Sequence, residues 1–334
     1  MDLMPANINL VITIVIALGL DYCLGEPKRL HPLVGFGALA DGLEKWLNNE
    51  DGLHHFSHGS SPRSNLFKAK GVLALTFAVV PIGFVAYSLD QTLAASDTNS
   101  ALSTLFAGMI LYLAIGWRSL IEHAKAISVP LSQGDLSAAR TAVGHIVSRD
   151  TEALNEQEIA KAATESVLEN GADALFAALF WFIVAGIPGV VIYRLSNTLD
   201  AMWGYKNPHF LHFGWAAARF DDVLNLIPAR LTALAYTLCG SINGQTQNAW
   251  RSWRQQAGTW KSPNAGPVMA AGAGAIGVEL GGSAKYHGQN QQRPTLGAGS
   301  APMAASINDA CDLVNNSLVL WLAIICLLTF IGVF

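Results

Sequence analysis

The stretch GVLALTFAVVPIGFVAYSL, which runs from Gly71 to Leu89, carries no charged side chain. Its length is close to the roughly 20 apolar residues that a helix needs to cross a bilayer. The whole chain shares this character: of its 334 residues, 13% are charged and 51% are hydrophobic, with a mean hydropathy of +0.34. Soluble domains carry roughly 25% charged residues, so the composition predicts an integral membrane protein.

Further apolar segments flank this stretch on both sides. The N-terminal segment has no preceding Lys or Arg and no following cleavage site, which favours a retained span over a signal peptide. Two later segments are interrupted, one by Gly186–Gly189 and the other by Pro228 and Arg230, and such breaks are tolerated beside a polar site. The other predicted segments are Asn7–Leu24, Ala101–Trp117, Asp173–Tyr193, Leu224–Ile242 and Ser317–Phe334.

We therefore predict an all-α, polytopic helical membrane protein, with residues 1–334 forming a single domain of about five to six spans. Basic residues concentrate in residues 25–70 and 118–173, whereas Asp90–Ser100 has none. By the positive-inside rule both long regions are cytoplasmic, with helical character. The basic residues after residue 190 fit this scheme if the chain makes a re-entrant turn at Gly186–Gly189.

Net charge and cysteine usage exclude several classes of protein. The net charge of −4 does not favour nucleic-acid binding. The four cysteines are scattered singly, without the paired spacing of a zinc or redox site. A G-x-G-x-x-G pattern at Gly272–Gly277 follows no strand, so we interpret it, with Gly281, as close helix packing. His54, His55 and His58 lie in a Gly/Ser-rich loop and make a poor candidate for a metal site.

A first polar cluster lies between residues 149 and 173. Asp150 or Thr151 and Asn155 are natural helix caps. After them Glu165, Glu169 and Asp173 recur at every fourth position, which places three carboxylates on one helical stripe. Two interpretations stay open: a solvated acidic face, or a cluster that binds a divalent metal or a substrate amine.

Two more clusters lie at predicted membrane boundaries. Asp221 and Asp222, beside Arg219 and Arg230, offer oxygen ligands for Mg²⁺ and guanidinium groups for phosphate, with interfacial ion pairing as the alternative. Directly after the first apolar segment, Asp21 and His31 accompany Glu26, Lys28 and Arg29. Snorkelling explains the lysine and arginine, but it does not explain an aspartate within the apolar run.

Six blocks of the chain, in this order, resemble the CobD/CbiB cobalamin-biosynthesis family. The departures are small: Glu26 stands where the family often has Asp, and the Gly266-Pro267 pair lacks an aromatic residue common there. The blocks are Asp21–Pro32 (DYCLGEPKRLHP), Arg149–Thr151 (RDT), Glu165–Asn170 (ESVLEN), Asn197–Lys206 (NTLDAMWGYK), Ala218–Arg230 (ARFDDVLNLIPAR) and Ser262–Gly266 (SPNAG).

The resemblance implies an adenosylcobinamide-phosphate synthase of the bacterial inner membrane, with its active loops facing the cytoplasm. Such an enzyme joins a corrinoid acid to aminopropanol or its phosphate and consumes ATP. The resemblance also implies that membrane lipid surrounds the protein and that other cobalamin-assembly enzymes are its candidate partners at the membrane. It implies no nucleic-acid partner. A transporter and a related membrane signalling protein of the β-lactamase-regulation type are the alternatives.

The expected chemistry assigns residues to roles. A carboxylic acid must be activated, here as an acyl phosphate, before an amine attacks it, so the site needs metal, phosphate and proton-handling groups. We expect Asp221 and Asp222 to bind Mg²⁺, and Glu165, Glu169 and Asp150 to be catalytic, one of the two glutamates handling the amine. The expected substrate- and phosphate-binding residues are Asp21, His31, Arg149, Asn170, Asn197, Asp200, Tyr205, Lys206, Arg219, Arg230 and Asn264.

Overall fold

The computed structural model describes residues 6–27, 31–48, 62–95, 100–286 and 289–333. The fold is almost entirely helical, as predicted, with one β-hairpin. Lys28, Arg29 and the three histidines His54, His55 and His58 lie outside the described residues. The helices are α1 Ala6–Leu24, α2 Pro32–Leu47, α3 Pro62–Ala95, α4 Ser100–Ala114, α5 Trp117–Ser132, α6 Leu136–Gly144, α7 Glu156–Gly171, α8 Ala177–Trp203, α9 Trp215–Leu224, α10 Leu226–Cys239, α11 Thr246–Gln256, α12 Ala265–Ile276 and α13 Ala304–Phe330, and the strands are β1 Glu279–Tyr286 and β2 Gln289–Gly297.

Four helical segments of the described chain are long and apolar enough to span a membrane, which confirms a polytopic protein. The number becomes five if the bent pair Trp215–Leu224 and Leu226–Asn243 is one span. The predicted first span coincides with α1, in which Asn9–Leu24 forms a shorter apolar helix. The four segments are Ser64–Ala95, Ala101–Ser132, Glu156–Trp203 and Ala304–Phe330.

The predicted domain, loop and orientation assignments stay predictions. Helices α5, α6 and α7 fill most of the predicted loop 118–173. Two compact units are distinguishable by their internal contacts. Unit 1 comprises Met1–Val11, Gly116–Ala177 and Leu226–Phe334, and unit 2 comprises Ile12–Ile115 and Ala178–Asn225.

Helix α12 is the core of unit 1. Its residues from Ala265 to Ala275 are all buried, because small side chains let neighbouring helices approach closely. A Cβ atom on Gly272 would lie 2.7 Å from Leu168 Cδ2, and one on Gly274 would lie 2.7 Å from the Cα of Ala249. Gly272 and Gly274 therefore pack helices, as predicted.

The same interpretation is wrong for the next two glycines. Gly277 ends α12 in the left-handed conformation, with φ of 69°, and Gly281 lies in a strand with φ of 77°. Left-handed backbone favours glycine because it has no Cβ. The spacing of four between these glycines thus marks a helix end and a strand irregularity rather than one helical face.

The hairpin β1–β2 is antiparallel, with a register shift between Gly281 and Gly282. Its C-terminal end is fixed to α11 by the Gln256 side chain. The Gln256 amide donates to Gly297 O at 3.0 Å and its carbonyl accepts from Gly297 N at 2.6 Å. Asn248 adds bonds from its side-chain amide to Gly274 O and Ala298 O. These bonds hold the hairpin against the helical core of unit 1.

Helix α7 begins at the predicted cap. The Asn155 side chain accepts from Glu158 N at 2.9 Å, and the Glu158 side chain accepts from Asn155 N at 2.8 Å, which forms a capping box. After Gly171 the backbone continues as a π-helical turn over Ala172–Phe176. Asp173 lies in this turn, whereas Glu165 and Glu169 lie in the regular helix before it.

Unit 2 packs α2, α3, α8 and α9 around an aromatic core that includes Phe36, Trp203 and Phe213. Helix α8 leaves the helical conformation at Ala185 and Gly186, where Gly186 has φ of 59°. The sequence indicated an interruption close to this point, at Gly186–Gly189. Whether the chain re-enters the membrane there stays a prediction.

Candidate functional site

A cavity of about 360 Å³ opens in unit 1 beside α7. Volumes of roughly 300–1,000 Å³ are typical of small-molecule sites. Four elements bring charged groups to its wall: α7, the segment before it, the segment before α12, and the hairpin. The charged residues that line it are Arg149, Glu165, Glu169, Lys261 and Arg293.

Glu165 is the centre of this cluster. Arg293 donates from Nη2 to Glu165 Oε1 at 2.9 Å and from Nη1 to Oε2 at 3.0 Å, a two-pronged contact. Arg149 Nη2 donates to Oε2 at 3.3 Å, and the Gly281 backbone N–H donates to Oε1 at 2.8 Å. A carboxylate has about four acceptor positions. All of them are occupied, so Glu165 is suited to hold two guanidinium groups in place.

The three side chains of this cluster are buried, where hydrogen bonds between charged groups are stronger than in water. The side chains are 5% exposed for Arg149, 9% for Glu165 and 11% for Arg293. Trp260 packs against Arg293, whose guanidinium carbon lies 5.3 Å from the ring centroid. The cavity wall carries three cations, including Lys261, against two carboxylates, which leaves one positive charge. Such a wall favours an anionic ligand, and planar guanidinium groups suit phosphate.

The polar side of the cavity comes from the next turns of α7. Ser166 donates to Ile146 O at 3.3 Å, and Asn170 donates to Ser166 O at 2.9 Å and to its Oγ at 3.0 Å. Glu169 also lines the cavity. Spacings of three and four residues place Ser166, Glu169 and Asn170 on adjoining positions of one helical surface. The predicted residues Arg149, Glu165, Glu169 and Asn170 are therefore brought together.

Asp150 lies beside a second cavity of unit 1, of about 740 Å³, which Lys161 also lines. Arg149 lines both cavities. The predicted phosphate ligand Arg230 instead donates to the side chain of Asn264 and to Leu226 O at 3.0 Å. Arg230 and Asn264, both predicted site residues, are thus direct partners, but neither lines the 360 Å³ cavity.

The adjacent aspartates of unit 2 have different surroundings. Asp221 is 8% exposed and accepts from Asn225 at 3.0 Å and from Asn197 at 3.4 Å. Asp222 pairs with Arg219 at 3.3 Å, and their side chains are 28% and 65% exposed. Consecutive helical residues point about 100° apart, which explains why only Asp221 faces the interior of the unit.

Amide side chains build the environment of Asp221. Tyr193 Oη donates to Asn225 at 3.1 Å, and Arg194 donates to Asn197 at 3.3 Å, so the two amides that contact Asp221 are themselves positioned. Asp200 lies close enough to Asp221 and Asp222 for their charges to interact. A buried carboxylate such as that of Asp221, which is bonded to amides and not to a cation, attracts a cation.

The remaining predicted residues of unit 2 differ in their exposure to solvent. Tyr205 and Lys206 are exposed beyond the end of α8. Asp21 is 1% exposed within α1, an unusual degree of burial for an aspartate. His31 is 7% exposed and caps α2, its Nδ1 accepting from Leu33 N at 3.2 Å. The pKa of His31 lies below its ordinary value: burial lowers it most, Glu26 partly offsets this by raising it, and Arg194 lowers it further.

Within the residues that the structure describes, no group of three or more His, Cys, Asp or Glu side chains is arranged to hold a metal ion. Mg²⁺ sites in phosphate-using enzymes commonly use one or two carboxylates together with substrate oxygens. Asp221 with Asp200 nearby fits that smaller donor set.

Arg293, Lys261 and Trp260 line the cavity but were absent from the sequence-based site. Arg293 follows a polar, glycine-rich stretch without periodicity, and it contacts Glu165 across 128 residues of sequence. Lys261 and Trp260 directly precede the family block Ser262–Gly266, and this proximity was the available signal.

The fold and these clusters define a helical, membrane-spanning protein with buried clusters of charged side chains. The model of a family described as CobD/Cbib protein matches residues 14–314, and the chain belongs to that family. No solved structure matches the chain.

Three relatives are each described as a cobalamin biosynthesis protein, CobD. The protein from Stutzerimonas stutzeri is 53% identical over 317 residues, covering 95% of this chain and 97% of the relative. That from Chromobacterium violaceum is 51% identical over 316 residues, covering 95% and 96%. The Mycobacterium tuberculosis H37Rv protein is 38% identical over 292 residues, covering 87% of each.

Proposed function

We propose that this chain is the adenosylcobinamide-phosphate synthase of cobalamin biosynthesis: it joins adenosylcobyric acid to aminopropanol or its phosphate and consumes ATP. The role in cobalamin biosynthesis follows from membership of the CobD/CbiB family and from relatives of that description. Corrinoids are accordingly the substrate class. The amine and the ATP-dependent ligase chemistry are the specific part of the proposal.

The observation that carries the ligase chemistry is the 360 Å³ cavity with its buried Arg149–Glu165–Arg293 cluster. Two arginines held by one carboxylate form a preorganised group for phosphate oxygens, and preorganised charge is the largest contribution to many catalysed reactions. Lys261 adds a third cation on the wall. A site for activating a carboxylic acid with ATP requires such a group, because negative charge moves between phosphate and carbonyl oxygens.

The reaction balances in two steps. The corrinoid carboxylate attacks the γ-phosphorus of ATP, forming an acyl phosphate and releasing ADP. The amine then attacks the acyl carbon, the C–O bond to phosphate breaks, and amide, inorganic phosphate and one proton result. Arg149, Arg293 and Lys261 bind the phosphate groups, while Glu165 anchors the two arginines.

Glu169 is the better candidate to receive the proton of the amine, since it lines the same cavity and all four acceptor positions of Glu165 are occupied. A carboxylate within reach of the attacking nitrogen is an effective general base. Asp150 lies at the neighbouring 740 Å³ cavity, where its charge favours the approach of an ammonium group.

Mg²⁺ is the expected metal of such an enzyme. In this chain Asp221 would hold it, with Asp200 nearby and Asn197 and Asn225 orienting the Asp221 carboxylate. Asp222, which is paired with Arg219 on the surface, is a weaker candidate. The inner membrane, with both long basic regions facing the cytoplasm, is the location that gives the site access to ATP.

The direct test uses purified protein in detergent with adenosylcobyric acid, aminopropanol phosphate, ATP and Mg²⁺. We expect an amide product of the mass of adenosylcobinamide phosphate, together with ADP and phosphate in equal amounts. Propanediol phosphate, in which a hydroxyl replaces the amine, is the matched control and should give no amide. Unchanged turnover without ATP would contradict the ligase chemistry. Release of AMP instead of ADP would indicate that the intermediate is an acyl adenylate and not an acyl phosphate.

A further inference from the structure

A second kind of site lies in unit 2, where a groove of about 320 Å³ is bounded by α2, α3, α4 and α8. Its wall is almost wholly aliphatic and aromatic, and the residues that define it include Leu33, Phe36, Ile82, Val85, Leu113 and Val191. Among its lining residues only His31 and Arg194 have polar side chains. None of the residues that line the 360 Å³ cavity lines this groove, whereas Arg194 also contacts the aspartate network through Asn197.

The two polar residues both present hydrogen-bond donors. His31 Nδ1 accepts from Leu33 N, so the neutral imidazole carries its proton on Nε2. Arg194 donates from Nη1 to Asn197, while its Nε–H is buried and has no hydrogen-bond partner among the described residues. A buried donor without a partner costs free energy. An oxyanion would satisfy both the arginine and the imidazole donor.

The groove therefore combines an apolar channel with an anion-binding end. A soluble anion would leave the channel walls exposed, and a neutral apolar molecule would leave the arginine unsatisfied. Helices α3, α4 and α8 contribute walls and belong to segments that are long and apolar enough to span a membrane. A molecule with an acyl chain and an anionic headgroup matches the channel, the charge and the surroundings.

We propose that this groove binds an anionic phospholipid, with one acyl chain along the aliphatic wall and the phosphate on Arg194 and His31. The lipid is a bound ligand of the protein and is separate from the reaction proposed above. Arg194, which is not among the predicted site residues, is the residue that selects headgroup charge.

Native mass spectrometry of the detergent-purified protein tests this proposal. Phosphatidylglycerol should remain bound under conditions that remove phosphatidylcholine. Arg194→Gln should weaken phosphatidylglycerol retention about tenfold, the loss expected for a hydrogen bond to a charged group. Arg219→Gln removes the same charge from an exposed ion pair of unit 2 and should leave retention unchanged.

A steric variant separates binding from folding. Val85 lines the groove in α3 and is 65% exposed, whereas Val80 in the same helix is 59% exposed and does not line it. Val85→Trp should block lipid retention, and Val80→Trp should not, at equal thermal stability. Equal retention by both tryptophan variants, equal retention of the two lipids by the wild type, or full retention by Arg194→Gln would overturn the proposal.

Discussion

Glu165 in unit 1 and Asp221 in unit 2 are buried to a similar degree: as whole residues, 7% and 8% of their surface is exposed. Their hydrogen-bond partners, however, differ in charge. Glu165 is bonded to two guanidinium groups and one backbone N–H. Asp221 is bonded to two neutral amides, with Asp200 and Asp222 nearby. The first carboxylate is neutralised within its own unit, and the second is not.

This difference indicates two kinds of function for two similar residues. A buried carboxylate that is matched by cations organises those cations for another anion. A buried carboxylate held by amides keeps its charge available for a cation from outside the protein. The sequence places both types in polar blocks beside apolar segments, so only their hydrogen-bond partners distinguish them.

Replacing each carboxylate by its amide should have opposite effects on the free energy of unfolding. Glu165→Gln leaves two buried arginines without their counter-ion, and breaking a buried pair in this way costs about 3–5 kcal/mol. Asp221→Asn removes an uncompensated buried charge and should leave stability unchanged or raise it. Thermal unfolding in detergent measures both.

The exposed pair Arg118–Glu122 supplies the control. Its side chains are 37% and 60% exposed, so Glu122→Gln should change stability only slightly, since surface pairs contribute about 0–1 kcal/mol. Equal destabilisation by Glu165→Gln and Asp221→Asn would show that the two carboxylates do not differ as described.

Arg293→Lys sharpens the comparison on the anion-binding side. Lysine keeps the charge but loses the fork that contacts both oxygens of Glu165. We expect kcat/KM for ATP to fall about 10- to 100-fold, the equivalent of one hydrogen bond to a charged group. Arg254→Lys, on α11 beside Trp250, is the matched control. A loss in both variants alike would indicate a general structural effect.

Asp221→Asn and Asp222→Asn test the cation-binding side. The first should raise the Mg²⁺ concentration needed for half-maximal activity about tenfold, as for residues that hold or orient a metal. The second affects an exposed pair and should change the requirement little. If neither variant changes the requirement, Asp221 does not hold the metal.

The smallest expected effect is on the pH dependence of stability and concerns His31. Its side chain is buried, so the charged, protonated form is poorly solvated. Its pKa in the folded protein lies below the ordinary value of 6.5, so below pH 6.5 the unfolded chain binds the proton more readily. The wild type should therefore lose stability as the pH falls from 6.5 towards the folded-state pKa of His31. The stabilising contribution of the neutral His31 side chain should be fully present above pH 6.5. His31→Asn keeps a capping side chain without titrating.

Unfolding of the wild type and of His31→Asn is best compared at several pH values on both sides of 6.5. The difference in stability should move in favour of the asparagine variant at the acidic end. A difference that does not depend on pH would assign the acid sensitivity to other groups.

Local signals in the sequence predicted much of the helical structure. Asn155 and Glu158 have the spacing of a capping box and form one. The adjacent aspartates could be expected to diverge because consecutive helical positions face different directions. The apolar segments indicated a membrane protein because their length and composition are local properties.

The hairpin and its arginine could not be predicted in the same way. Gly281 and Gly282 precede the polar residues Gln291 and Gln292, a stretch with little strand periodicity and low strand propensity. Its structure depends on long-range contacts, including the bond from Gly281 N–H to Glu165 and the fixed end at Gln256. Contacts over such distances leave no local pattern.

The hairpin also sets when the cavity can be completed during protein synthesis. A ribosome makes the Glu165 segment well before Arg293, which follows 128 residues later. Long-range contacts of this kind form late in folding. Until the hairpin emerges, Arg149 is the partner that remains available to Glu165 from its own neighbourhood. Chains that terminate early, between α12 and β2, should therefore enter the membrane with an incomplete Arg149–Glu165–Arg293 cluster.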